Sequence, residues 1–408
     1  MRISSPNIPQ SRQIWIVIVL GALSGFGPLS MDMYLPALPS MAKALNTSTS
    51  LAQLSLTSCL LGFAMGQIIA GPQSDVRGRR LPLLAGMVVY AVSSFLCALT
   101  SAIWILILLR FIQGMAGAAG MVISRAIVRD RYSGSEMTKF FALLTLVSGA
   151  GPIIAPIIGG QLLQLTSWRG VFIVLGIVGI VMFLAVLFTL PETLPPQRRS
   201  QAGIMNTLSI FGGLIRDPVF MGYALPQGLV TAAMFAYISG SPFVIQDIFG
   251  ASPQLFSIFF AINGLGLIIA SQITGKLAGR IAGTKLYIGG VVLATLGGIS
   301  LLLMILIGNG LPAILPPLFV VVSSAGIVST AGSSLALEHY GHSAGSASAL
   351  LGLLMFVFGA IAAPLAGLGG SNTALPMGMV IAVADVSSLL CYAILRLRTN
   401  AGSSVKKV

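Results

Sequence analysis

Asp32 lies in a stretch that is otherwise uncharged from Ile14 to Leu38, in a chain of 408 residues carrying only nine carboxylates. An acid in such surroundings is costly to keep, which is why ionisable groups in apolar spans mark proton or solute pathways by default. Arg110, with Gln113 three residues on, and Asp385, in the middle of another apolar run, share that setting. A buried carboxyl beside a fixed guanidinium can act as a proton switch. Burial favours the neutral acid, the cation favours the ion, and a modest rearrangement or a bound solute tips the balance. The plainer reading of Asp32 is an interfacial residue hydrogen-bonded at a helix end. For Asp385 three readings stay open: a second titrating group, a neutral acid hydrogen-bonded to Ser387 or Ser388, or a peculiarity of this chain.

The elements that must position these groups are membrane helices. The chain is 56% hydrophobic and 8% charged, with a mean hydropathy of +0.98. Its apolar runs are long and continuous and lack the alternation of barrel strands, so each must satisfy its own backbone hydrogen bonds. Runs of roughly 20 residues, the length that crosses about 30 Å of hydrocarbon, are expected near 14–38, 51–72, 81–100, 102–124, 138–164, 169–190, 217–240, 252–275, 284–308, 312–336, 345–369 and 373–396. The first follows a polar segment with Arg2 and Arg12 but is too long for a signal peptide. On this layout Asp32 lies about six residues below the outer end of the first span and Arg110 about eight below the outer start of the fourth, which sets them within roughly one 5.4 Å turn in height.

Basic residues mark the cytoplasmic loops. With twelve spans and both termini inside, all of the 22 Lys and Arg fall on one side except Lys43, Arg169 and the intramembrane Arg110. The net charge of +13 then reflects anchoring beside anionic lipid and not a nucleic-acid partner. Cys59, Cys97 and Cys391 fall inside expected helices as small packing groups. His339 and His342, three apart in a loop, have only Glu338 near them, so neither a metal site nor a cofactor is expected.

The sequence also repeats. Residues 71–81 (GPQSDVRGRRL) have a weaker echo at 275–286 (GKLAGRIAGTKL), about half a chain away. Residues 191–216 lose apolar character and gain Pro, Gln and Arg. Two six-helix bundles are therefore expected, 1–190 and 217–408, joined by a cytoplasmic linker at 191–216. Duplicated bundles of this kind meet at a cavity near the bilayer midplane and can rock against each other.

The turn Gly71, Asp75, Gly78, Arg79, Arg80 suits a short reversal: glycine for unusual backbone angles, Asp75 as a cap for the following helix, and arginines gripping the interface. Its spacing closely resembles the G-x-x-x-D-R-x-G-R-[KR] loop of the major facilitator superfamily, with Val76 where that family usually has Arg. Arg110-x-x-Gln113-Gly114 resembles the same family's fourth-span motif, associated with proton coupling. Gly149, Gly151, Pro152, Pro156, Gly159 and Gly160 resemble its fifth-span antiporter motif, with Ala155 where Gly is more usual. Small residues there permit close helix contact and prolines bend the span. Residues 29–39 (LSMDMYLPALP) resemble the D-M-Y-L-P-A signature of the Bcr/CflA branch, the bicyclomycin and chloramphenicol resistance proteins. Arg129-Asp130 with Tyr132, Trp168-Arg169 with Phe172, Pro191-Glu192-Thr193 and Ser241-Pro242-Phe243-Val244 extend that likeness along the chain.

The resemblance implies the major facilitator fold, a bacterial inner-membrane location, Asp32 as proton carrier facing Arg110, a loop at 71–80 that locks the cytoplasmic side, and a monomer exporting small amphipathic drugs of bicyclomycin, chloramphenicol or sulfonamide type against protons. Met33, Tyr34, Gln113, Gln227, Met234, Phe235, Tyr237 and Asn263 are expected to form a greasy cavity with a few polar handles. Proton-coupled uptake of a nucleoside or other small metabolite keeps the same fold with reversed traffic. A membrane receptor or enzyme would need a soluble domain that these short loops do not supply.

Overall fold

The computed structural model describes residues 10–132, 134–199, 204–338, 340, 344–370 and 372–405. These form fifteen α-helices: α1 (Gln10–Ser24), α2 (Phe26–Asp32), α3 (Leu38–Ala44), α4 (Thr49–Arg77), α5 (Arg80–Leu99), α6 (Ile103–Arg131), α7 (Gly134–Leu165), α8 (Trp168–Thr189), α9 (Ile204–Arg216), α10 (Pro218–Phe243), α11 (Pro253–Leu277), α12 (Gly283–Ile307), α13 (Leu311–Leu337), α14 (Ala344–Leu365) and α15 (Leu375–Val405). Among the described residues ten helices are long and apolar enough to cross a bilayer, and the bent segment around α1 and α2 makes an eleventh. The 32-residue α7 holds the remaining apolar stretch, Gly149–Leu165.

Helix ends follow local chemistry. Ser48 and Ser252 accept from the backbone N–H of Leu51 and Leu255, capping α4 and α11. Asp217 caps α10 through Val219 and Phe220, with Pro218 in the first turn, and the Tyr340 hydroxyl donates to its other oxygen.

The first span departs from the continuous helix expected over 14–38. It bends by 42° at Gly25 and continues through a 3-10 turn at Leu35–Ala37 into α3. Prolines explain both breaks, because Pro28 and Pro36 have no N–H to offer the carbonyls of Ser24 and Asp32 four residues before them. Asp32 is consequently the last residue of a short helix, well short of where the helical path ends at Ala44.

Helices α1 to α8 form one bundle and α10 to α15 the other. The bundles meet where α4 packs on α14 and α7 on α11. Within the first bundle α4 and α6 cross in near backbone contact, since a Cβ on Gly62 or Gly114 would collide with the facing helix's carbonyls. That crossing fixes the height and rotation of Arg110. Residues 191–216, expected as a plain linker, contain α9, whose Phe211 and Leu214 are buried together with Phe220, Ala336 and Leu350 of the second bundle. The Pro- and Arg-rich stretch before it hid the helical spacing of those apolar residues.

Candidate functional site

Arg110 is fully buried on α6 and donates to Gln113 Oε1 at 2.6 Å, while Gln113 Nε2 donates to Ser94 Oγ at 2.7 Å. Its guanidinium carbon lies 4.9 Å from the centre of the Tyr34 ring and 5.6 Å from that of Phe172, distances at which a cation is attracted to a ring face. The Tyr34 hydroxyl is paired with Ser55 Oγ at 3.1 Å. Nε and Nη2 of Arg110 have no hydrogen-bond partner among the described residues.

The expected Asp32–Arg110 pair is not formed: among the described residues the ion pairs are Lys43–Asp247, Arg79–Asp75 and Arg79–Asp130. The reason is rotational. Successive helical residues turn by about 100°, so Asp32 and Tyr34 point to nearly opposite sides. Tyr34 faces α6 and occupies the ground beside Arg110. Asp32 is buried at the end of α2, within electrostatic reach of Tyr237 on α10 of the other bundle. Tyr237 accepts a hydrogen bond from Asn263 Nδ2 at 2.8 Å.

Asp385 sits in the second bundle, fully buried, with no hydrogen-bond partner for either carboxyl oxygen among the described residues. Hydrogen bonding to Ser387 or Ser388 does not occur: Ser388 Oγ donates to the Pro226 carbonyl, and Thr295 Oγ1 donates to the Asp385 backbone carbonyl, not its carboxyl, at 3.0 Å. One carboxyl oxygen lies against Gly298 of α12, in space that a side chain there would fill.

The fifth-span motif works through α7's neighbours on both sides. A Cβ on Gly159 would strike the Met33 backbone, and one on Gly151 would strike Pro28, so small residues let α7 lie against the broken first span. Toward the second bundle, Gly160 packs on Ser257, whose hydroxyl donates to the Pro156 carbonyl at 2.8 Å. Gln254 Nε2 donates to the Gly160 carbonyl at 2.7 Å. Pro152 is half-buried, and Gly149 comes only within van der Waals range of Ile268.

At the Gly71–Arg80 loop the capping carboxylate is Glu192 and not, as expected, Asp75. Glu192 accepts from the backbone N–H groups of Arg79 (2.8 Å), Arg80 (3.1 Å), Thr193 and Leu194 (2.9 Å each). Partial burial would raise its pKa, but those four donors outweigh that and hold it below the ordinary glutamate range. Asp75 instead receives Arg79 Nη1 at 2.6 Å, while Arg79 Nε donates to Asp130 at 2.7 Å and Arg80 Nη2 to the Leu187 carbonyl at 2.6 Å. Gly78, at φ +90°, leaves the space that the Glu192 carboxylate fills. Apart from Glu192 and its neighbours, in the segment that follows α8, the partners in this network belong to the first bundle, so it braces that bundle and does not, in this conformation, bolt it to the second.

The bundles are instead joined at the far end. Lys43 Nζ meets Asp247 at 2.6 Å, Gln246 Nε2 donates to the Pro36 carbonyl at 3.3 Å, and Gln53 Nε2 to the Ser239 carbonyl at 3.1 Å. At the loop end a cavity of about 390 Å³ opens between α4, α6, α9 and α14, and Gly71 is on its wall. None of the eight residues expected to form the substrate cavity lines it. Met33, Tyr34, Gln113, Gln227, Phe235, Tyr237 and Asn263 are buried deeper, with Met234 half-buried, and Gln227 donates to Ser333 Oγ at 3.2 Å. The cavity is lined instead by residues that sequence reasoning passed over, Gln67, Arg125, Arg129 and Phe211 among them. Arg125 had been read only as anchoring charge, and Arg129 as anchoring charge and as part of the family likeness, neither as a cavity residue. His339 and His342 lie outside the described residues.

Residues 14–364 match the family model described as Major Facilitator Superfamily. The chain belongs to the major facilitator superfamily. This facilitator is 44% identical over 388 residues to an uncharacterized MFS-type transporter, YdgK, of Bacillus subtilis, covering 95% of this chain and 96% of that one. It is 30% identical to a bicyclomycin resistance protein homolog of Haemophilus influenzae (92% and 94% covered) and 26% identical to multidrug resistance protein D of Escherichia coli (94% and 96%). Among solved structures it superposes on the nucleoside transporter NupG with a TM-score of 0.77 at 14% identity (93% and 99% covered). An inward-facing bacterial Spinster homologue gives 0.76 at 15% (96% and 98%). At such identities the structural likeness speaks for the fold alone. The facilitator is thus a multi-pass membrane transporter and not an enzyme.

Proposed function

We propose that this facilitator is a proton-coupled antiporter that exports small amphipathic drugs by alternating access. The observation that carries the reading is Asp32: a buried carboxyl with no ionic partner among the described residues, within electrostatic reach of Tyr237 on the other bundle. Relatives named for bicyclomycin, chloramphenicol and multidrug resistance supply the cargo class. The first bundle spans 1–190 and the second 217–408, with 191–216 between them and both termini on the cytoplasmic side of the inner membrane. The chain works as a monomer.

In the conformation described, the outer end is shut by the contacts around Lys43, Gln53 and Gln254, and the cavity opens to the cytoplasm. Drug enters there, the bundles rock, and drug leaves outside as a proton neutralises Asp32. A neutral acid crosses the seam at lower cost than a carboxylate, so the emptied carrier returns and releases the proton inside. Arg110 acts one step removed. Its unpartnered Nε and Nη2 offer donors beside Tyr34, which shares the broken first span with Asp32. Asp385 is a second titrating group of lower rank, remote from the seam.

The test is drug efflux from proteoliposomes driven by an imposed pH gradient. Asp32→Asn is expected to abolish gradient-driven efflux while leaving drug binding and thermal stability near wild type. Asp385→Asn should reduce coupling less. Full gradient-driven efflux by Asp32→Asn would remove that residue from the mechanism.

A further inference from the structure

The cytoplasmic cavity carries an unbalanced charge. Arg79 is shared by Asp75 on the wall and Asp130 beside it, a triad of net charge −1, so with Arg125 and Arg129 the group sums to +1. Arg125 and Arg129 remain, one helical turn apart on α6, with no hydrogen bond or ion pair to any described residue. Loop arginines that merely fix orientation sit among lipid headgroups, whereas these two form part of a cavity wall. Around them the wall is apolar, with Ile68, Val122, Phe211 and Leu353, and the Gln67 amide of α4 is the further polar group beside them. Two forks of N–H donors beside an apolar wall recognise one kind of partner: an anionic oxygen group attached to an apolar body.

We propose that Arg125 and Arg129 form an entry site for organic anions, so that amphipathic acids, carboxylates above all, are a favoured cargo class. The idea rests on the export reading and refines it. It also has an energetic consequence: a monoanion leaving against one entering proton moves two positive charges inward, whereas a neutral drug leaving against one proton moves one. A membrane potential, negative inside, therefore drives acid export more steeply than neutral export.

Matched probes test this with the full chain in proteoliposomes: naphthoate, its uncharged methyl ester and the cation naphthylmethylamine. Wild type should export naphthoate with the lowest KM, and a potential imposed without a pH gradient should accelerate naphthoate more than the ester. Replacing both guanidiniums (Arg125→Gln with Arg129→Gln) should raise the naphthoate KM about tenfold or more, the loss of one or two charged hydrogen bonds, with the ester unaffected. The Lys pair (Arg125→Lys with Arg129→Lys) should recover only part of the loss. Export of the ester but no preference for naphthoate, or an equal loss for all three probes in the Gln pair, overturns the entry site while leaving the export reading intact. Export of none of the three by wild type overturns both. Anionic lipid is the competing source of the same chemistry. If phosphatidylglycerol raises the naphthoate KM of wild type to that of the Gln pair, the cavity is a lipid seat and the cargo assignment fails.

Discussion

The Gly71–Arg80 loop and its echo at 275–286 occupy equivalent positions in the two bundles, each turning the chain between the bundle's second and third spans. The first is held by three carboxylates: Asp75 and Asp130 on the Arg79 guanidinium, and Glu192 on the backbone of Arg79 and Arg80. The second has Lys276, Arg280 and Lys285 exposed and in no ion pair with a described residue. It turns through Gly279, at φ +88°, and is closed by backbone contacts, the Arg280 and Ile281 N–H groups each donating to the Leu277 carbonyl at 3.0 Å. Duplication preserved the path of the chain, while the acids that give the loop mechanical strength are present in one copy only. One bundle has a braced edge at this end and the other a soft one.

The sharpest way to break the comparison is Arg79→Ala. Arg79 is 2% exposed and answers two carboxylates; its removal strands Asp130, whose side chain is 13% exposed, while Asp75, 40% exposed, is left to water, so the change should cost about 3 kcal/mol. That loss should register as a drop in thermal denaturation midpoint in detergent. Arg280→Ala, in the echo, should stay within about 0.5 kcal/mol of wild type. Equal midpoints for the two variants would mean that the bracing is not structural.

Glycine substitutions separate strain from crowding. Gly78→Ala places a Cβ at a backbone conformation that L residues avoid and drives it into the Glu192 carboxylate, costing about 2–3 kcal/mol. Gly279→Ala meets the same kind of strain in open space and should cost about 1 kcal/mol. If the two cost the same, Glu192 does not fill the turn.

Glu192→Gln should remove about 1 kcal/mol, because the amide oxygen can still accept some of the four N–H bonds that the partly exposed carboxylate takes. It also predicts a pH dependence. The folded carboxyl titrates below the ordinary glutamate range, so its stabilisation is complete above that range and disappears as pH falls beneath it. The wild-type denaturation midpoint should therefore decline on acidification more steeply than that of Glu192→Gln. Parallel acid limbs would place the loss elsewhere.

Much of this architecture is legible in the sequence, and what is not has identifiable causes. The spans are visible because lipid leaves helices little alternative, and the braced turn is visible because its glycine and arginines lie close together. Glu192 closing that turn is a contact across more than a hundred residues, and the Pro-Glu-Thr run gave no hint of where it would dock. Asp32 was legible as a costly acid, but its direction was not. Height along a helix survives in a residue count, whereas azimuth is lost once Pro36 breaks the hydrogen-bond ladder, and it is azimuth that gave Arg110 to Tyr34. Arg125 and Arg129 were hidden by their abundance, since one more pair of cytoplasmic arginines looks like every other.

The smallest expected effect concerns the opposite end of the molecule, and it differs in kind. Lys43–Asp247 joins the two bundles at 2.6 Å, but the Lys43 side chain is 75% exposed, so the pair contributes about 0–1 kcal/mol. Lys43→Ala should leave the denaturation midpoint unchanged. It should nevertheless raise the population open at the outer end by up to about fivefold, because this contact exists only when that end is shut. Distance distributions between spin labels on the outer ends of the two bundles would show that shift, and 1 M salt should reproduce it in wild type by screening the pair. The Arg79 network makes the opposite prediction, with a large change in midpoint and little change in population, because the partners of its guanidinium, Asp75 and Asp130, ride on one bundle. If Lys43→Ala lowers the midpoint while leaving the distances unmoved, the distinction between contacts that hold a bundle together and contacts that choose its state does not apply to this protein.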